Sequence, residues 1–256
     1  MSGAAGIDAR GWDAGRYDAI SDMQLRWGIN VLDRIELRGD EAVLDAGCGT
    51  GKVTALIAER VPRGRVIGVD ASHSMIEKAR ERLPNDVELV RSDLLDLELA
   101  EPVEVVFSNA TLHWIHDDTR LFSRLYAALR PGGRLEVQFG GQGNVAALEA
   151  AVREASASEP FAGHLDGVPL PWRFRSAEET AVGLERAGFV AVRCWTERVT
   201  ESFDEGRDLR ACGVGDYIGH LPEALRDRFV AAVVDTMDDP TVREYVRLNA
   251  SGRRPQ

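Results

Sequence analysis

Three aspartates, Asp45, Asp70 and Asp93, each stand at or just past the end of a short apolar run. Three glycines at alternate positions, Gly47, Gly49 and Gly51, follow the first of them. Carboxylates so placed accept hydrogen bonds from hydroxyls and amines. One at position 70 can take both hydroxyls of a ribose, and one at position 93 the exocyclic amine of adenine. Glycine lacks a Cβ, so the turn can adopt positive φ and a ligand can lie directly on the backbone. A helix starting after the turn is expected to leave amide N–H groups free to face that ligand. The pattern points to a nucleotide-like ligand.

Only a parallel sheet brings three such ends together. Glu41–Ala46, Arg65–Asp70, the run Val87–Asp93 and Val103–Phe107 read as buried strands, alternating with helices at Lys52–Arg60 and from Ser74, whose Ser-x-x-Glu spacing suggests a capping box. Ile76, Ala79 and Leu83 are its core face, and Pro84-Asn85 ends it. Ligands bind outside the carboxyl ends of strands in open α/β sheets, so all three carboxylates face one crevice. A dinucleotide fingerprint would need G-x-G-x-x-G. Here the third glycine falls one position early and Lys52 takes its slot.

Around this core, Trp12 to Arg38 reads as helical, with Trp27, Val31 and Ile35 on one buried face and Gly39-Asp40 ending it. Leu121, Phe122, Leu125 and Leu129 form an amphipathic helix closed by Arg130-Pro131-Gly132-Gly133, before a strand at Arg134–Phe139. Beyond Gly140 the alternation stops. Helices are expected at Ala146–Ser156, from a second capping box at Ser176 to Arg186, at Leu209–Tyr217 and at Glu223–Met237. Strands are expected at Phe189–Thr196 and Val242–Asn249, and a Gly- and Pro-rich loop at Phe161–Phe174.

The 256 residues carry a net charge of −11, with 44% hydrophobic and 29% charged residues. That balance suits a globular protein and lacks the basic stripe that nucleic acid requires. No run of 18 apolar residues spans a membrane, and no signal-peptide pattern opens the chain. Cys48, Cys194 and Cys212 show no metal-ligand spacing and read as reduced thiols of a cytoplasmic protein. Residues 1 to about 10 are expected to be disordered. Cys48 is either a nucleophile or, more economically, a small residue at a crowded turn.

In order and spacing, Asp45-Ala46-Gly47-Cys48-Gly49-Thr50-Gly51, Asp70, Ser92-Asp93, Ser108-Asn109-Ala110 and Leu129-Arg130-Pro131-Gly132-Gly133 resemble the class I S-adenosylmethionine-dependent methyltransferases. Ser108-Asn109-Ala110-Thr111-Leu112-His113-Trp114, with Trp12 and Tyr17, is most similar to the trans-aconitate 2-methyltransferase group. The resemblance implies a Rossmann-like doubly wound seven-stranded sheet, last strand antiparallel, with a helical lid from the N-terminus and the C-terminal half. It implies an N-terminal lid segment at 1–38, a cofactor-binding core at 39–140, and the remaining strands with substrate-capping helices at 141–256.

The implied cofactor is S-adenosyl-L-methionine. Its expected contacts are Asp45, Gly47, Cys48, Gly49, Gly51, Asp70, Ala71, Met75, Ser92, Asp93, Leu94, Asn109 and Ala110, with Trp114, Tyr17 and Gln24 from flanking segments. Asn109 would hold both cofactor and acceptor. His113 is a general base, a hydrogen-bonding positioner or an ordinary loop histidine. The implied partner is a small-molecule methyl acceptor in a monomer or homodimer. Tyr17, His113 and Trp114 would face it, and Trp172 and Arg173 would clamp a carboxylate. The implied reaction is O-methylation of a carboxylate or hydroxyl. N- or C-methylation, a nicotinamide-dependent oxidoreductase and a non-catalytic cofactor-binding module are the alternatives.

Overall fold

The structure, a computed structural model, describes residues 22–203 and 215–256. Trp12, Tyr17, Cys212 and most of the helix expected at 209–217 lie outside the described residues.

Seven strands form one sheet: β1 (Ala42–Ala46), β2 (Arg65–Asp70), β3 (Glu88–Arg91), β4 (Val103–Asn109), β5 (Leu129–Gly140), β6 (Val190–Ser202) and β7 (Val242–Arg253). Their spatial order is β3-β2-β1-β4-β5-β7-β6. β1 to β5 pair in parallel, whereas β7 runs antiparallel between β5 and β6. The described helices are α1 (Asp22–Leu32), α2 (Lys52–Arg60), α3 (His73–Arg82), α4 (Asp118–Ala128), α5 (Ala146–Ser156), α6 (Ala162–Leu165), α7 (Ala177–Arg186), α8 (Gly215–Gly219) and α9 (Glu223–Thr236). The chain steps outward from β1 to β3, then returns to the other side of β1 as β4. A crevice therefore opens between the ends of β1 and β4.

Strand alternation explains the two covered faces. Val43, Val66 and Val105 pack with Val31 and Ile57 on one side. Their neighbours Leu44, Ile67 and Val106 pack with Leu121, Phe122 and Leu125 on the other. A third cluster joins Met23 and Trp27 to Leu148, Phe161, Trp172, Phe229 and Tyr245. Trp27, 5% exposed, meets the Tyr245 ring edge-on and underlies the Arg247 guanidinium, so it is a packing residue.

Local corrections have local causes. α3 is capped by Ser72, whose Oγ accepts from the Met75 N–H, and not by Ser74. Ser72 is held there because its own N–H donates to Asp70. At Ser176 both halves of the capping box are made with Glu179. α1 ends at Leu32, where i→i+3 bonds tighten the chain, yet Ile35 stays buried. α6 interrupts the loop expected at 161–174. β5 begins at Leu129, five residues early, because the Pro-Gly-Gly turn is absorbed into its pairing with β4.

Candidate active site

Asp70, at the end of β2, anchors the cleft. Its Oδ2 accepts from the Gly49 N–H at 3.0 Å and its Oδ1 from the Ser72 N–H at 2.8 Å. Burial pushes its pKa up, and those N–H bonds pull it back. Asp93 accepts from the Leu95 N–H at 2.9 Å. Each carboxylate keeps lone pairs for a ligand.

The glycine loop takes the positive φ expected of it and is held by its own hydrogen bonds. Gly47 and Cys48 N–H both donate to the Val69 carbonyl, at 2.7 and 3.0 Å. The Gly51 N–H donates to the Cys48 carbonyl, and that of Gly49 to Asp70. These amides are committed within the protein, and the helix-start amides expected to face a ligand begin beyond them, at Lys52. Its glycines serve close approach. A Cβ at Gly47 would lie 2.2 Å from Thr111 Oγ1, and φ there is +87°. A Cβ at Gly51 would meet the Leu83 side chain at 2.9 Å, so this glycine lets α2 pack on α3 and does not line the cleft. At Gly49 the corresponding space is open.

The cleft is open to solvent and has a cavity volume of about 150 Å³. Asp45, Gly47, Cys48, Gly49, Asp70, Ala71, Met75, Ser92, Asp93, Leu94, Asn109, Ala110, Trp114 and Gln24 all line it. His113, Trp172 and Arg173 do not, and Tyr17 lies outside the described residues. Sequence reasoning missed Leu25, Thr50, Lys52, Val53, Ser72, Phe107, Thr111 and Ile115, which also line it. Thr111 was the most accessible of these: its hydroxyl donates to the Gly47 and Asn109 carbonyls, in the loop already singled out.

Electrostatics narrow the roles. Burial, then the negative charges of Asp45 and Asp70, push the Cys48 thiol well above its ordinary value, so it is no thiolate nucleophile. His113 is buried, and its Nδ1 accepts from the Gly140 N–H at 3.3 Å, which places the proton of the neutral ring on Nε2. Burial, then the Arg247 and Arg175 charges, hold its pKa well below the usual histidine value. The ring sits between Trp114 and Phe174, behind the cleft wall. Trp172 packs in the cap cluster and stacks on Phe174. Arg173 pairs with Asp118 at 3.0 Å and donates its N–H to the His113 carbonyl. These residues brace Trp114 from behind.

Asp45 is 2% exposed and accepts from the Thr54 hydroxyl at 2.7 Å. Burial raises its pKa from 3.8 to about 7, against the Thr54 hydrogen bond and with the Asp70 charge adding to the rise. The folded state therefore keeps a proton that the unfolded chain sheds as pH climbs. Stability from this group is present below about pH 4 and is lost by about pH 7. Asp45→Asn removes that loss. Denaturation series from pH 4 to 7 should show a flatter profile in the variant, whose stability relative to the parent rises by up to about 4 kcal/mol across that range. Parallel profiles would place an ionised carboxylate at position 45.

The donor set is informative. Besides three carboxylates, Gln24 Oε1 and Asn109 Oδ1 are shut off from water with no hydrogen-bond partner. The cleft thus offers acceptors and seeks a donor-rich ligand. S-adenosylmethionine, with ribose hydroxyls, an adenine amine and an ammonium, fits it.

Comparison with known proteins agrees. Residues 43–133 match the family described as Methyltransferase domain. The chain is 41% identical over 127 residues to trans-aconitate 2-methyltransferase of Azoarcus sp. (strain BH72), and 37% identical over 127 residues to that of Escherichia coli (strain K12 / DH10B). Each match covers 50% of both proteins. The chain spans about half the length of the curated relatives it matches. In fold it is similar to the YcgJ protein of Bacillus subtilis (TM-score 0.63, 16% identity, covering 91% and 99% of the two chains). It is also similar to Haemonchus contortus phosphoethanolamine N-methyltransferase 2 in complex with S-adenosyl-L-methionine (TM-score 0.57, 21% identity, 90% and 53%). The seven-stranded sheet with its antiparallel β7 is Rossmann-like and doubly wound, and these likenesses show that fold.

Proposed function

We propose that this chain is an S-adenosylmethionine-dependent methyltransferase acting on the carboxylate of a small molecule. The observation that carries the reading is the acceptor-lined cleft at the β1/β4 crevice. Asp70 would take the ribose hydroxyls, and Asp93 with Leu94 and Met75 would hold the adenine. Asn109, Gln24 and the Gly47–Gly49 loop would hold the amino-acid end.

The bound cofactor would supply an electrophilic methyl group on a sulfonium. The chain's part is positioning: an acceptor atom must be held about 3 Å from that carbon, in line with the bond that breaks. Trp114, braced by His113, Phe174 and Trp172, gives a fixed aromatic wall beside this position. Water exclusion by that wall strengthens every oriented dipole facing the reacting atoms.

His113 favours the carboxylate over a hydroxyl or amine. A histidine held neutral by burial and flanking cations is a poor base, and a carboxylate arrives already ionised, so none is needed. The relatives' name points the same way, since trans-aconitate is a carboxylate. Arg173 and Arg175 are engaged by Asp118, so the expected clamp from that loop is withdrawn.

Methyl-labelled S-adenosylmethionine offered with panels of small carboxylic acids, phenols and amines should label a carboxylic acid first. Calorimetric titration should show S-adenosylmethionine binding and NAD not. Transfer confined to phenols or amines would redirect the acceptor, and NAD binding in its place would overturn the reading.

A further inference from the structure

β7 turns Arg243, Tyr245, Arg247 and Asn249 to one face of the sheet, because strand side chains alternate. Arg243 is 4% exposed and Arg247 2%. The Arg247 guanidinium lies 4.2 Å over the Trp27 ring, and that of Arg243 4.4 Å over Phe203. Arg247 Nε donates to Gln138 Oε1 at 3.3 Å. Gln138 Nε2 donates in turn to Asn249 Oδ1 at 2.7 Å, which also accepts from Arg34 Nη2. A run of buried amides thus fixes where Arg247 sits. In register it stands opposite Gly140, the last residue of β5, and its charge reaches His113. This is the carboxyl edge of the sheet, two strand spacings or about 10 Å from β4 and Asn109. Gln24, which lines the cleft, is one turn from Trp27 on α1.

We infer that Arg247, with Arg243 beyond it, determines acceptor specificity by holding an anionic group other than the one methylated. The inference rests on the methyltransferase reading and deepens it at the acceptor's end. Taking a guanidinium out of water is costly, and sheet packing is served as well by an apolar side chain. Two guanidinium groups on one buried face make a positive region beside the cleft. The planar fork of an arginine matches the two oxygens of a carboxylate, and the pair strengthens where water is excluded. Charge along the sheet edge divides accordingly. Asp45, Asp70 and Asp93 stand at the β1–β3 end and the arginines at the β7 end. Methyl transfer from a sulfonium to a carboxylate cancels one charge on each partner. A cation fixed on the reacting carboxylate would therefore stabilise the ground state more than the transition state. A second carboxylate keeps its charge throughout. Cations set about 10 Å from β4 serve binding without opposing the reaction.

The full-length chain, loaded with S-adenosylhomocysteine, should be titrated calorimetrically with propane-1,2,3-tricarboxylate and with butanoate, which has one carboxylate. The unaltered chain should bind the tricarboxylate at least about tenfold more tightly, the size expected for one charge-assisted pair. Arg247→Met should lose that preference, Arg247→Lys should keep part of it, and Arg243→Met should reduce it about threefold. Affinity for S-adenosylhomocysteine should move by less than about twofold in all three variants, which separates acceptor recognition from collapse of the cap. If Arg247→Met fails to bind S-adenosylhomocysteine, Arg243→Met decides on the same readout. A parental preference in a methionine variant that still binds S-adenosylhomocysteine, or no preference in the unaltered chain, would overturn the arginine site while leaving the cofactor reading standing. Failure of the unaltered chain to bind S-adenosylhomocysteine would overturn both.

Discussion

Asp70→Ala should weaken S-adenosylmethionine binding by at least about a hundredfold. A carboxylate taking two ribose hydroxyls makes two charge-assisted hydrogen bonds, each contributing about 1.5–3 kcal/mol, and each 1.4 kcal/mol is tenfold in affinity. The substitution also frees the Gly49 and Ser72 N–H groups, so part of the loss would come from a loosened glycine loop. Asp70→Asn separates the two contributions, because it keeps an acceptor for one N–H while removing the charge. Calorimetry on both variants, with melting of the ligand-free proteins as control, checks the result. Unchanged affinity in Asp70→Ala would remove the ribose assignment. A loss matched by an equally large fall in melting temperature would make Asp70 a loop anchor first.

What the sequence made legible was the part carried by short-range pattern. Apolar runs of strand length ending in Asp45, Asp70 and Asp93 place those carboxylates along one sheet edge, because a strand's end is a local property and β1, β2 and β3 are parallel neighbours. The buried faces of α3 and α4 followed from 3.6-residue spacing in the same way. Contacts between distant segments were not legible. Gly47 is needed by Thr111, 64 residues on, and Gly51 by Leu83, so reading every loop glycine as a ligand contact assigned Gly51 a task it does not have. The Val69 carbonyl takes the Gly47 and Cys48 N–H groups, a contact that the loop's own residues do not reveal. His113 reads as a titratable loop residue until Arg247, 134 positions away, is seen to face it. Trp172 and Arg173 formed a plausible anion clamp from composition alone, but the packing that buries one and the carboxylate that engages the other come from elsewhere in the chain.

That carboxylate, Asp118, belongs to an arrangement with a large expected effect on stability. Arg175 is 1% exposed and spends its guanidinium on the loop behind the cleft wall. It donates to the Leu112 carbonyl at 3.0 Å, to the Ile115 carbonyl at 2.5 Å and to Asp118 through Nε at 2.6 Å, with a second contact to Asp118 from its other nitrogen. The Phe122 and Phe139 rings lie 5.9 Å from its centre. Arg175→Met keeps much of the volume and suits those rings, so the loss is electrostatic: two carbonyls lose their donor and Asp118 loses a cation. Removing one partner of a buried pair costs about 3–5 kcal/mol. Asp118 retains some exposure and its contact with Arg173, so about 3 kcal/mol is expected here. Urea denaturation should show it as a lower midpoint with an unchanged slope. Because Trp114 and Ile115 sit on the strap that Arg175 ties down, the variant should also lose transfer activity under conditions where it remains folded. A cost below about 1 kcal/mol would mean that packing between the two rings, and not the guanidinium, holds the strap.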